Sequence, residues 1–131
     1  DLNGVPCTVN NWLLDNVLRK EWGFNGVIVS DAHAIKDCVA HGIAEDGSDA
    51  AYQAISSGTD IDMISGLYSQ YLRELIEQGR LDIEALDKAV SNVLRVKFEL
   101  GLFEDPYRTD SENEKKICSP QITGLSQGNQ Q

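Results

Sequence analysis

The chain has 131 residues, 41% of them hydrophobic, and a formal net charge of −10 from 11 basic and 21 acidic side chains. This length suits one domain, and this apolar content suits a folded core. The charge argues against nucleic acid or an anionic membrane as a partner, and no apolar run reaches the roughly 18 residues of a membrane-spanning helix.

The hydrophobic pattern predicts helices that alternate with two short strands. The first helix is predicted from Trp12 to Trp22, with Asn10 or Asn11 as its cap. The later elements are, in order, a strand over Val27 to Ser30, a helix over Ala34 to Ala40, a helix over Asp49 to Ser56 capped by Ser48 or Gly47, a strand over Thr59 to Ile64, a helix over Leu67 to Gln78, and a long amphipathic helix from its cap Asp82 up to Gly101.

This alternation is typical of βαβ units and a parallel sheet, so the predicted fold class is α/β. Two strands cannot close a sheet, and the residues from about Asp110 to Gln131 show no periodicity. The chain begins at Asp1 without a methionine and ends in the polar tail SQGNQQ. We therefore expect a piece of a longer protein that folds poorly by itself.

Asp31 is the sharpest candidate for chemistry. It follows Ser30 at the end of the apolar run Val27 to Val29, and ligands collect at the carboxyl ends of buried parallel strands. A carboxylate there can be a nucleophile, a general base, a metal ligand or a phosphoryl acceptor. The alternative is an aspartate that caps the next helix. Position alone leaves these readings open.

Other polar residues give weaker signals. Alternation places Asp60 and Asp62 on one face of the second strand, either at a pocket mouth or as solvated strand-end carboxylates. His33 and His41 fit loop positions better than a metal site, and no phosphate-binding glycine motif occurs. No metal or cofactor is therefore predicted. The three cysteines form no CxxC pair and are expected to be buried or incidental thiols: Cys7, Cys38 and Cys118.

Four motifs together resemble glycoside hydrolase family 3, in particular its β-glucosidase branch. They are NGVPCTVNNWLLDNVLRKEWGFNG, the overlapping LRKEWGFNGVIVSDAHAI, then AAYQAISSGTDIDM, and finally VSNVLRVKFELGLFEDPY. The resemblance runs from about Asp1 to Tyr107, and the order and spacing of the motifs agree with the family.

The resemblance implies that residues 1–107 are the C-terminal portion of the family's N-terminal (β/α)8 barrel, a partial TIM-type barrel with the last two strand–helix units. Residues 108–131 would be an interdomain linker or tail. The activity implied is retaining hydrolysis of terminal β-glycosidic bonds by the larger enzyme, and the fragment alone is expected to be inactive. The implied substrate is an oligosaccharide or a β-glucoside. The resemblance also implies that the rest of the parent chain is a partner of this segment and that the enzyme is periplasmic or secreted.

In the family the aspartate of the VSD motif is the nucleophile, and Asp31 matches it. The acid/base carboxylate comes from a following domain, outside this chain. Met63 and Asp62 are the candidates for substrate contact. Ala32 stands where the family often has a tryptophan, which removes an aromatic wall and weakens the preference for glucosides.

Two alternatives stay open. One is a non-catalytic remnant of the barrel. The other is a receiver-type signalling domain with Asp31 as phosphoryl acceptor, although the five strands and the acidic pair of that fold do not fit here. Trp12 and Trp22 are ten positions apart, nearly three helical turns, so we expect them on one face, packing the helix onto the barrel rather than binding sugar.

Overall fold

The structure, a computed structural model, describes residues 1–107, and helices dominate them. The elements are a 3₁₀ turn (Cys7–Val9), an N-terminal helix (Trp12–Glu21), and the α-helices α1 (Ala34–Ala40), α2 (Gly47–Ser57), α3 (Leu67–Glu77) and α4 (Ile83–Glu99). The chain divides into two compact units, Asp1–Leu100 and Gly101–Gln131. In the described part of the second unit, the N–H groups of Glu104 and Asp105 donate to the carbonyl of Gly101. The predicted linker, 108–131, lies outside the described residues.

Short polar side chains cap the N-terminal helix, α2 and α4. The Asn10 side chain accepts from the N–H of Leu13 at 3.1 Å, and Asp82 accepts from Glu84 at 3.0 Å, as the sequence predicts. The cap of α2 is different, because Asp46 accepts from the N–H of Asp49 at 2.8 Å. The prediction of Ser48 or Gly47 as cap is wrong. An extended Asp46 already satisfies the free N–H, so the helix begins earlier.

The N-terminal helix is a π-helix rather than an α-helix. Its last turn closes with the N–H of Trp22 donating to the carbonyl of Val17, five residues back, at 2.9 Å. The predicted length is nearly right, and the common face of Trp12 and Trp22 stays a prediction. Both side chains are largely exposed in this chain, at 56% and 69%.

Helix α2 lies at the centre of the core and contacts α1, α3, α4 and the 3₁₀ turn. Alanines at 50, 51 and 54 are fully buried on it, and such small side chains let the neighbouring helices approach closely. Ile35 and Cys38 of α1 and Leu75 of α3 fill the remaining space. Burial raises the pKa of the Cys38 thiol, as expected for an inert core cysteine.

Helix α4 is the longest described element, with 17 residues. Its Ala89 is buried in the core, whereas Val90 and Leu94 are exposed, so part of its apolar stripe faces outward. Among the residues described, no helix has both the length and the apolarity required to cross a membrane.

The two predicted strands, Val27 to Ser30 and Thr59 to Ile64, are reduced in the described residues to one parallel bridge between Val29 and Ile61. The N–H of Ile61 donates to the carbonyl of Ile28 at 3.1 Å, and that of Ser30 donates to the carbonyl of Ile61 at 3.0 Å. The segments pair in the predicted parallel sense. The prediction of two regular strands is nevertheless wrong, because side-chain oxygens replace backbone carbonyls as hydrogen-bond acceptors on both sides of this bridge.

On the N-terminal side of the bridge, the Asp60 carboxylate takes the place of a backbone carbonyl as hydrogen-bond acceptor. A continued ladder would join the N–H of Ile28 to the carbonyl of Thr59. Instead that N–H donates to Asp60 Oδ2 at 2.8 Å, and the Thr59 carbonyl accepts from the Tyr68 hydroxyl at 2.7 Å. Burial, with the nearby Asp62 and Asp60 charges, raises the pKa of Tyr68, so its hydroxyl stays protonated as a donor.

Candidate active site

Asp31 lies directly after the bridged segment, and its side chain is exposed. Its Oδ1 accepts from the N–H of Ala32 at 2.7 Å. Helix α1 begins only at Ala34, and its cap position, His33, makes no side-chain capping bond. The reading of the Asp31 side chain as a cap of α1 is therefore not supported. The carboxylate is held by its own loop and points away from the core.

On the C-terminal side of the bridge the ladder is also broken. A regular parallel ladder would next join the N–H of Met63 to the carbonyl of Ser30, and the N–H of Ala32 to the carbonyl of Met63. In the structure the N–H of Met63 donates to Ser30 Oγ at 2.9 Å. The carbonyl of Met63 accepts from His33 at 3.1 Å. Ala32 therefore makes no ladder hydrogen bond to Met63, and its N–H donates to Asp31 Oδ1 instead.

Two residues that follow the paired segments, His33 and Ile64, have strained backbones. His33 has φ of 62° and Ile64 has φ of 70°, and positive φ is a real outlier for a β-branched residue. Ile64 is at the centre of a tight three-residue turn in which the N–H of Ser65 donates to the carbonyl of Met63 at 2.9 Å. Such outliers cluster at functional sites, because the surrounding bonds must hold them there.

The two acidic residues of the second segment have separate structural roles. The Asp60 side chain is 3% exposed and pairs with Arg19 at 2.7 Å, while its Oδ1 accepts from Asn92 at 2.9 Å. Asp62 Oδ2 accepts from the N–H groups of Leu67 and Tyr68 at the start of α3, at 2.8 and 3.3 Å. The expectation that alternation places both carboxylates on one open face is wrong, because each turns to a different buried donor.

Of the two candidates for substrate contact, Met63 is the more accessible, with 39% of its surface exposed. Asp62 Oδ1 is buried and has no hydrogen-bond partner among the described residues. By register, Met63 is opposite Asp31, two residues beyond the bridged pair Val29 and Ile61. The structure therefore brings the candidate nucleophile and Met63 to the same end of the paired segments.

The remaining polar candidates do not assemble into a site. Within residues 1–107, no group of three His, Cys, Asp or Glu side chains is arranged to hold a metal ion. Cys7 is exposed and Cys38 is buried, both as free thiols, while Cys118 lies outside the described residues. Sequence reasoning missed Ser30 and Arg19 as residues that shape the paired segments. The available signal was a hydroxyl at the end of an apolar run and an arginine on the preceding helix.

Two of the cavities lie between helices, away from Asp31. One of about 530 Å³ lies between α1 and α3, and its lining includes Lys36, Ser65 and Tyr71. Another of about 550 Å³ lies between α3 and α4, and its lining includes Leu72, Ile76 and Leu86. Asp31 lines neither of them.

The comparisons with known proteins agree with one another. Residues 1–96 match the profile of the glycosyl hydrolase family 3 N terminal domain. A periplasmic β-glucosidase of Salmonella typhimurium is 49% identical over 106 residues, which are 81% of this chain and 14% of that protein. A β-xylosidase of Formosa agariphila is 36% identical over 121 residues, 86% of this chain and 17% of that protein.

The solved structures give the same result. The crystal structure of a β-glucosidase from Listeria innocua superposes with a TM-score of 0.84 at 39% identity, covering 93% of this chain and 17% of that one. The same enzyme has been solved with isofagomine and with glucose. The chain spans about one-sixth of the length of this structure. It is mainly helical in the part described here, and it belongs to glycosyl hydrolase family 3, within the N-terminal domain of that family.

Proposed function

We propose that this chain is the part of a longer β-glycoside hydrolase that carries the catalytic nucleophile. Residues 1–107 form the last two strand–helix units of its (β/α)8 barrel, and residues 108–131 lead to the next domain. The family match over residues 1–96 and the small share of each relative that the chain spans support this division. Family membership also leaves no place for the receiver-type alternative.

Asp31 is the proposed nucleophile of a retaining reaction. In that mechanism one carboxylate attacks the anomeric carbon while a second, about 5–5.5 Å away, protonates the leaving oxygen. The observation that carries the proposal is an exposed carboxylate at the end of the paired segments, oriented by the N–H of Ala32 at 2.7 Å. The acid/base residue belongs to the rest of the parent chain.

The proposed substrate is a terminal β-glycoside, with β-glucosides preferred. The names of the relatives, β-glucosidase and β-xylosidase, support this class. Met63, exposed at the same end as Asp31, is the favoured candidate for contact with the sugar, and Asp62 is the weaker one. The periplasmic location of the Salmonella relative supports a periplasmic or secreted enzyme.

The test is Asp31→Gly in the full-length protein. Turnover of an aryl β-glucoside should fall by several orders of magnitude with folding intact, because the group that forms the glycosyl-enzyme is gone. Azide should partly restore the rate by entering the vacated space, and the product should be the α-glycosyl azide, since a single displacement inverts. A fluorinated slow substrate should label Asp31 in the wild type.

The matched control is Glu45→Gly, which removes an exposed carboxylate from the loop before α2 and should leave turnover unchanged. Labelling of Asp60, Asp62 or Glu45 instead, or near-normal turnover of Asp31→Gly, would contradict the assignment. An inactive wild-type full-length protein would favour the second candidate, a non-catalytic copy of the barrel. A parallel assay with an aryl β-xyloside separates the two substrate classes.

A further inference from the structure

We infer that the Ser30 hydroxyl is a positioning group for Asp31. It accepts a sheet hydrogen bond in place of the backbone, and this frees the N–H that orients the carboxylate. The inference rests on the proposed role of Asp31 as nucleophile. Ser30 is 3% exposed, and no contact with the sugar is proposed for it.

The hydrogen bonds on each side of Ser30 carry the inference. Its N–H donates to the carbonyl of Ile61 at 3.0 Å, as a regular parallel pair requires. One step further, the N–H of Met63 meets Ser30 Oγ at 2.9 Å, where a regular ladder would use the Ser30 carbonyl. The side chain thus ends the ladder after a single bridge.

The consequence reaches Asp31 through Ala32. With the ladder ended, the Met63 carbonyl accepts from His33 at 3.1 Å instead of from Ala32. The N–H of Ala32 is then available to Asp31 Oδ1, which it meets at 2.7 Å, a short charge-assisted bond. Because Ala32 makes no ladder hydrogen bond, the paired stretch ends there and the loop that orients the Asp31 carboxylate begins.

Burial makes the Ser30 hydroxyl difficult to replace. Ser30 is 3% exposed, so water has little access to substitute for a lost acceptor. Without Oγ, the N–H of Met63 has the Ser30 carbonyl as its nearest ladder acceptor, and a partly buried N–H favours being paired. Closing that bond restores the regular register, which draws the N–H of Ala32 towards Met63 and away from Asp31.

The predicted effect is on the attack step and not on sugar binding. A nucleophile must be held within a fraction of an ångström of its productive position, and a misplacement of about 1 Å can cost roughly 100-fold in rate. We expect Ser30→Ala in the full-length enzyme to lower the first-order rate of covalent labelling by a fluorinated slow substrate about 10- to 100-fold. The concentration of half-maximal labelling should stay near that of the wild type.

Two variants separate positioning from mere stability. Ser30→Thr keeps an Oγ and should label within about threefold of the wild-type rate. Ser57→Ala removes another buried serine hydroxyl, one that donates to the carbonyl of Val9 at 2.8 Å, and should lower the melting temperature without slowing the labelling step. A lowered melting temperature with an unchanged labelling rate in Ser30→Ala would overturn the inference.

The outcome is distinguishable from failure of the proposed function. If the wild type labels at Asp31 while Ser30→Ala labels at the same rate, the nucleophile stands and the positioning role is wrong. Equal losses in Ser30→Thr and Ser30→Ala would also overturn it, because the acceptor oxygen would then not be the cause. Labelling elsewhere than Asp31 contradicts the proposed function itself.

Discussion

Two buried side chains, Ser30 and Asp60, accept hydrogen bonds that backbone carbonyls accept in a regular parallel sheet. Each acts on one side of the bridge between Val29 and Ile61. Asp60 also pairs with Arg19, whose Nη1 donates to the Gly26 carbonyl at 3.2 Å. At the residue scale, these polar groups fix how the two segments meet and where the paired stretch ends.

Asp60→Ala in the full-length protein should reduce its free energy of unfolding by roughly 3–5 kcal/mol, because it leaves a buried charge unpaired. The side chains of Arg19 and Asp60 are 10% and 3% exposed, so water compensates little for the lost partner. Chemical denaturation followed by fluorescence measures the change. Asp87→Ala, which removes an exposed acid on α4, is the control and should stay within about 0.5 kcal/mol of the wild type. A similar small change in Asp60→Ala would refute the role of this pair.

At the scale of elements, the N-terminal helix combines a buried ionic contact with exposed aromatic rings. Arg19 points inward to Asp60, while Trp12 and Trp22 are largely exposed in this chain. Within the proposed barrel, such rings are suited to packing against neighbouring strand–helix units, because large aromatic side chains contribute most when buried. We therefore predict that these rings pack against those units and do not stack on sugar.

Trp22→Ala in the full-length enzyme should lower the melting temperature and leave the Michaelis constant almost unchanged. Truncating a buried tryptophan typically costs about 3–5 kcal/mol. Trp12→Ala is the companion variant on the same helix and should behave in the same way. A large loss of substrate affinity at unaltered stability would show that these rings bind sugar and that the packing interpretation is wrong.

At the scale of the whole molecule, the core of the first unit is small and rich in alanine. Five of its buried apolar residues are alanines, at positions 44, 50, 51, 54 and 89. Large apolar side chains remain exposed on the N-terminal helix and on α4, among them Trp12, Val90 and Leu94. Exposed apolar surface of this kind marks a face that another part of a protein covers.

The isolated chain should therefore be poorly folded or partly molten. We expect strong binding of a hydrophobic dye, fast amide exchange and a broad thermal transition, because the apolar faces and the paired segments lack their neighbours. Calorimetry and hydrogen exchange on the purified chain measure this. The full-length protein is the control and should bind little dye. A sharp, cooperative melt of the isolated monomer would contradict the fragment interpretation.

The sequence by itself determined the helices, the caps Asn10 and Asp82, the parallel sense of the paired segments and the place of Asp31. The helices and caps follow from local rules, since periodicity and capping act over a few neighbouring residues, and the parallel sense follows from the alternation of apolar segments with helices. The motifs also determined the family, which the comparisons confirm.

Only the tertiary structure decided the π-helix, the separate roles of Asp60 and Asp62, and the use of Ser30 as a sheet acceptor. The roles of Asp60 and Ser30 depend on donors far along the chain, Arg19 for Asp60 and Met63 for Ser30. A period-two pattern describes which face a side chain occupies but not which buried N–H needs an acceptor. Packing decides which N–H groups need an acceptor. Here side chains serve as the acceptors, so the two predicted strands form only one bridge, with the exposed carboxylate of Asp31 after it.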